Sequence, residues 1–165
     1  SGRGKTTLLR MIADFGLLPD EGFVLIDEPR QGKIAVLFQE DRLLPWLTVY
    51  DNMMLAMMDR GLNSIAAERE VKEMARDLEL EQALFQLPSQ LSGGMRSRVA
   101  LGRTFLMNGK LILLDEPFKG LDQQLKERII GRLWEKQTLG RTVILVTHDE
   151  KDAQWLADQV IPFPD

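Results

Sequence analysis

Ser1-Gly2-Arg3-Gly4-Lys5-Thr6-Thr7 places small residues, a lysine and two hydroxyls ahead of a segment with helical apolar spacing. Glycines let successive backbone N–H groups turn toward one anion. A helix that starts there adds the positive end of its dipole. The spacing matches the end of G-x-x-x-x-G-K-[ST], whose first glycine would precede Ser1. The chemistry indicated is phosphate binding, with Lys5 reaching β- and γ-phosphates and the Thr6 hydroxyl placed for Mg²⁺. The plain alternative is a glycine turn before a helix that happens to begin Lys-Thr.

A second segment, Leu111-Ile112-Leu113-Leu114-Asp115-Glu116, ends an apolar run in adjacent carboxylates. A buried parallel strand delivers its C-terminal end to a ligand crevice. Asp115 there suits Mg²⁺, through water, and Glu116 suits a general base that orients an attacking water. The same residues would also serve a core strand that stops in a solvated turn at Pro117. Gln39 follows the apolar run Ile34 to Phe38, and His148, the chain's only histidine, follows Val143 to Thr147. Leu91-Ser92-Gly93-Gly94-Met95 heads another helical segment. Ser92 can cap that helix and donate to a phosphate, and Gly93 and Gly94 permit close backbone approach.

These groups need a scaffold. Strands are predicted over Phe23 to Ile26, Ile34 to Phe38, Leu111 to Leu114 and Val143 to Val146. Helices are predicted over Thr6 to Ala13, Val49 to Met58, Ala66 to Leu80, Gly94 to Met107, Lys126 to Gln137 and Asp149 to Ala157. Strands alternating with helices, two of the strands continuously apolar, give an α/β fold with a parallel sheet covered on both faces. The stretch Asn52 to Pro88 carries no strand signal and reads as a helical insertion, and Leu43 to Trp46 and Leu87 to Leu91 read as connectors.

The chain has 165 residues, enough for one domain, with 44% hydrophobic and 28% charged residues, a net charge of −4 and no cysteine. A disulfide scaffold is excluded. No basic block points to nucleic acid. No apolar run approaches the roughly 20 residues needed to span a bilayer, so a different chain would make any crossing. No signal peptide is visible. Because Ser1 falls inside the phosphate motif, the sequence reads as truncated at its N-terminus. A chain lacking the central strand that feeds this loop is expected to fold poorly alone and to bind nucleotide weakly.

Taken in order, the phosphate loop, Gln39, Leu91 to Met95, Asp115-Glu116, Leu121-Asp122 and His148 resemble the motif series of ABC (ATP-binding cassette) ATPases, from Ser1 to about Val160. The resemblance implies an α/β P-loop NTPase whose core is residues 1–51 and 109–165. Residues 52–108 would form an inserted helical subdomain carrying the signature motif. It implies ATP and Mg²⁺, the metal held by Thr6, Gln39 and Asp115, and catalysis by Glu116, Gln39 and the switch histidine His148. Nucleotide contacts would come from Ser1, Gly2, Arg3, Gly4, Lys5, Thr6 and Thr7. A second subunit, head to tail, would add Ser92, Gly93, Gly94 and the loop of Asp122. Two departures from the family pattern are Lys119-Gly120, where Gly-Ala or Ser-Ala is usual, and Ser97 in place of a glutamine.

The longer stretch Phe38 to Val49 resembles ATPases of bacterial importers for nitrate, sulfonate and taurine, which implies an importer of a small anionic solute. The partners implied are a second ATPase subunit, transmembrane permease subunits and, indirectly, a solute-binding protein. The location implied is the inner face of the cell membrane, on the cytoplasmic side. Trp46 and the cluster Met53, Met54, Met57 and Met58 could touch a membrane subunit, against ordinary core packing for most of the methionines. A non-transport relative acting on ribosomes or DNA, and a non-hydrolysing binding module, stay open as alternatives. Retention of Lys5, Asp115, Glu116 and His148 argues against the second.

Overall fold

The computed structural model describes residues 4–13 and 34–162. Ser1, Gly2, Arg3 and the strand expected over Phe23 to Ile26 lie outside the described residues. Helix α1 (Lys5–Ile12) opens at Gly4, whose φ of 77° is left-handed and therefore suited to glycine. Strands β1 (Ile34–Leu37), β2 (Leu111–Asp115) and β3 (Thr142–Val146) form a parallel sheet in that order among the described residues. The register pairs Leu37 with Leu114, and Asp115 with Val146.

Strand β2 lies between two neighbours and is buried from Ile112 through Asp115, which accounts for its unbroken apolar sequence. Strand β3 stands at the end of the described sheet and is half-buried from Val143 to Val146. Its apolar run alone suggested cover on both faces. An apolar sequence states what a strand can bury, while its place in the sheet decides how much it does.

A helical layer occupies the middle of the chain, in helices α2 (Val49–Met54), α3 (Ser64–Asp77) and α4 (Gly93–Leu106). Val49, Met53, Val71, Met74, Leu78 and Leu101 are fully or nearly fully buried in one continuous core with Ala35, Ile112 and Leu114 of the sheet. Thr48 caps α2 through its hydroxyl, which accepts from Asp51 N at 3.1 Å. The helix expected through Met58 instead ends its α-helical part at Met54. It tightens into a 3₁₀ helix over Leu55–Arg60 and stops at Gly61, where φ is 65°.

Helix α5 (Gln123–Thr138) starts ahead of the expected Lys126 because the Asp122 carboxylate caps it, accepting from Leu125 N at 2.9 Å. Gly140, with φ of 71°, turns the chain from α5 toward β3. Helix α6 (Glu150–Leu156) follows, capped by Asp149. Among the described residues no helix is long and apolar enough to cross a membrane.

Gly102 fixes how closely α4 approaches the rest of the helical layer. A Cβ there would lie 2.6 Å from Leu78 Cδ1 and 2.9 Å from Met53 Cε, both on fully buried side chains. Gly102→Ala is therefore expected to destabilise the fold by about 1–3 kcal/mol through overpacking, despite alanine's better helix propensity. A thermal melt checks this, and an unchanged or raised midpoint would show that the layer gives way without cost.

Candidate nucleotide site

The C-terminal end of the sheet gathers the polar residues. Thr6, in the first turn of α1, donates from Oγ1 to Asp115 Oδ2 at 2.6 Å. Asp115 ends β2 and is 4% exposed, so its carboxylate is held against α1 rather than solvated. A hydroxyl and a carboxylate form a hard oxygen pair of the kind Mg²⁺ takes together with substrate phosphates. Among the described residues no cluster of His, Cys, Asp and Glu forms a metal cage. Lys5 is half-buried beside Thr6, and Thr7 is exposed.

Glu116 comes next and has a φ of 53°, a left-handed conformation that a side-chain-bearing residue adopts at a cost. Its backbone is held on both sides: Glu116 N donates to Val146 O at 2.9 Å, and Lys119 N donates to Glu116 O at 3.2 Å. His148 Nδ1 donates to Glu116 Oε2 at 2.8 Å. The glutamate side chain is 11% exposed and the imidazole 70% exposed, so the carboxylate sits at the floor of the pair and the ring at its mouth. Nothing in the local sequence around Glu116 or His148 indicates that they touch. The parallel register of β2 and β3 brings them together.

Gln39 is exposed just past β1. The loop it opens is tied down by contacts that motif reading did not find. Asp41 Oδ1 accepts from Ser97 Oγ at 2.9 Å, its Oδ2 lies 3.6 Å from Arg96 Nε, and its carbonyl accepts from Arg103 at 3.2 Å. Ser97, noted as a departure from the family pattern, thus has a partner in the Gln39 loop. Asn52 is fully buried; its Nδ2 faces the carbonyls of Leu44, Leu47 and Thr48, and its Oδ1 accepts from Leu44 N at 2.9 Å. The turn carrying Trp46 is therefore fixed while Trp46 itself is exposed. Met53 and Met57 are core residues and Met58 is exposed, so the methionine cluster divides between packing and surface.

The Leu91-Ser92-Gly93-Gly94 segment stands at the head of α4. Ser92 Oγ accepts from Met95 N at 3.2 Å, and Ser92 and Gly93 are exposed. A Cβ on Gly94 would meet Gly120 O at 3.4 Å and Leu121 Cδ2 at 3.5 Å, so this segment leans on the turn that leads to Asp122. Within one chain the structure brings together Thr6 with Asp115 and Glu116 with His148. Ser92 and Asp122 are engaged in capping their own helices.

Behind His148 lies a residue that motif reading passed over. Lys126, in the first turn of α5, is buried, and Nζ donates to Asp149 Oδ2 at 2.8 Å and Asp152 Oδ1 at 2.5 Å. Burial pushes the ammonium down, and the two carboxylates more than reverse this, leaving Lys126 above the ordinary lysine value. The Lys126 hydrogen bond likewise holds the Asp149 carboxyl below its ordinary value. Spacing gave no sign of it, because a lysine on an amphipathic helix normally faces water.

A family model described as ABC transporter matches residues 1–119. The chain is 40% identical over 168 residues to an sn-glycerol-3-phosphate import ATP-binding protein of Rhodopseudomonas palustris, covering 98% of this chain and 46% of that protein. It is 39% identical to a multiple sugar-binding transport ATP-binding protein of Streptococcus mutans, covering 98% of this chain and 45% of that protein. To a molybdate/tungstate import ATP-binding protein of Pyrococcus abyssi it is 38% identical, covering 97% and 48%. The chain thus spans about half the length of these curated relatives. Among solved structures it is similar to a dimeric ATP-binding cassette in a post-hydrolysis state bound to ADP and Pi. The TM-score is 0.80 and the identity 33%, covering 93% of this chain and 74% of that one.

The left-handed backbone at Glu116 can be tested apart from its carboxylate. Glu116→Gly and Glu116→Ala both remove the carboxylate, but only glycine accepts this φ without strain. The glycine variant is expected to be more stable than the alanine variant by roughly 1 kcal/mol. Paired denaturant titrations read the difference, and an alanine variant of equal or greater stability would show that no strain is held there.

Proposed function

The chain belongs to the ABC transporter family, and from that premise we propose that it is the nucleotide-hydrolysing part of an importer's ATP-binding subunit. The observation that carries the reading is the meeting of Thr6 with Asp115 and of Glu116 with His148 at one end of a parallel sheet. The first pair offers oxygens to a cation at the root of a phosphate-binding helix. The second offers a carboxylate to an attacking water and an imidazole at its side. Such transfers depend on positioning and charge stabilisation more than on covalent chemistry by the protein.

In this reading Ser1 to Thr7 cradle the phosphates of ATP, with Lys5 on the β- and γ-groups. Thr6, Asp115 and Gln39 hold Mg²⁺, which when bound neutralises phosphate charge. Glu116 is the general base, and His148 and Gln39 orient the reacting groups. Ser92, Gly93 and Gly94 are presented to ATP held by a second subunit, with the Asp122 turn beside them. The exposure of Ser92 and Gly93 in a single chain and the dimeric state of the similar solved cassette support that role. Residues 52–108 act as the helical subdomain and 1–51 with 109–165 as the core.

The transport partners are permease subunits and, through them, a solute-binding protein, with the ATPase on the cytoplasmic side of the membrane. Trp46, exposed on the turn that Asn52 braces, and the exposed Met58 are the candidate permease contacts. The solute is proposed as a small anion. The Phe38 to Val49 stretch favours oxyanions such as nitrate, sulfonate or taurine. The relatives' names span sn-glycerol-3-phosphate, sugars and molybdate/tungstate.

The test uses the full-length polypeptide with Glu116→Gln. Loss of the base is expected to lower ATP turnover by about 100-fold or more while leaving nucleotide binding intact. Light scattering with MgATP should show an ATP-dependent dimer that retains its nucleotide. Tight ATP binding with no turnover even in the unsubstituted protein would favour a binding module instead.

A further inference from the structure

We propose that Lys126 is a positioning residue for hydrolysis: it ties the turn carrying His148 to the first turn of α5 and so sets the His148–Glu116 hydrogen bond. The inference rests on the hydrolytic reading above and deepens it by naming what holds the histidine in place.

The need for such a tie follows from exposure. The His148 side chain is 70% exposed, so no packed pocket fixes its ring. Its placement is left to the hydrogen bond with Glu116 and to the backbone of its neighbours. That backbone is organised by Asp149, whose N–H donates to Thr147 Oγ1 at 3.0 Å across the histidine. The Asp149 carboxylate divides its two oxygens. Oδ1 caps α6, accepting from Lys151 N at 2.9 Å, and Oδ2 takes the Lys126 ammonium at 2.8 Å. Without Lys126 the turn would keep its ties to β2 and Glu116 on the strand side, and beyond His148 only the cap of its own helix.

Fold stability gives little reason for a lysine at this point. The Lys126 and Asp152 side chains are 6% and 7% exposed, so both charges are largely stripped of water. Well-packed apolar residues in place of such a pair are often neutral or stabilising. What the ion pair supplies is direction. Three fixed oxygen and nitrogen positions define where the α6 entry sits relative to α5. The same residue's N–H donates to Asp122 O at 2.9 Å, so Lys126 stands on the turn that leads out of Glu116 through Lys119, Gly120 and Leu121. The side chain thus reaches the α6 entry from the end of that turn, and its contacts there are with Asp149 and Asp152.

The experiment compares Lys126→Met, Lys126→Arg and the double variant Lys126→Met/Asp152→Asn in the full-length polypeptide. The double variant removes the buried carboxylate charge that methionine alone would leave unpaired, and it keeps the Asp149 cap. Three readouts are taken: kcat and KM for MgATP, the melting temperature, and the His148 imidazole NMR signal, assigned by its loss in His148→Gln. Both methionine variants are expected to lose about tenfold or more in kcat, with KM within about threefold, as expected when a reacting group is misplaced rather than a substrate lost. The imidazole signal should broaden or shift, and arginine should restore both.

Unchanged kcat together with an unchanged imidazole signal in Lys126→Met would overturn the proposal. So would a parallel fall of kcat, substrate affinity and melting temperature in both methionine variants without rescue by arginine, since that describes a fold element only. If the unsubstituted protein hydrolyses no ATP while the imidazole signal still follows Lys126, the hydrolytic reading fails and the tether stands.

Discussion

Every polar contact of the site depends on the burial of β2 between two parallel neighbours. A strand that buries both faces can carry almost no polar side chain along its length, so its chemistry is confined to where it leaves the sheet. Parallel alignment places the exits of β1, β2 and β3 at the same edge, and with them Gln39, Asp115-Glu116 and His148. The left-handed φ at Glu116 belongs to the same constraint. The chain must stop following β2 while its side chain stays over the sheet's end, and hydrogen bonds to Val146 and Lys119 hold it there.

The loops at that edge are fixed by polar groups, the buried Asn52 and the partly buried Asp41, in addition to the packing of Leu43 on the core. Asn52 meets the backbone of the Leu44 to Thr48 turn, and Asp41 gathers Ser97, Arg96 and Arg103 of α4. Such groups are costly unless satisfied, and satisfied they specify one conformation. The result couples the Gln39 loop to the helix headed by Ser92. Movement of either would strain the same small set of hydrogen bonds. Lys126 plays the equivalent part on the other side of the site, between α5 and α6.

Exposure divides the candidate site residues into two groups. Asp115 and the Glu116 side chain are largely withdrawn from water, where electrostatic interactions are less screened. Ser92, Gly93 and Asp122 face outward, as suits groups offered to another molecule. Gly94 against Gly120 and Leu121 makes the outward-facing parts one continuous surface.

Residue chemistry and periodicity are legible along the chain without the fold. A lysine and threonine follow a glycine turn, adjacent carboxylates close an apolar run, and helices and strands alternate; each is written in residues close along the chain. A helix limit is legible where the cap heads a recognisable motif, as at Ser92, and less so where the capping carboxylate stands among other polar residues, as at Asp122. Tertiary structure alone decided that Glu116 meets His148, that Thr6 meets Asp115, that Ser97 answers Asp41, and that Lys126 is buried between carboxylates. The physical reason is range. Local spacing states which face of an element is apolar. Which polar groups converge is set by strand register, by the φ of single turn residues and by the desolvation of partners far apart in the chain.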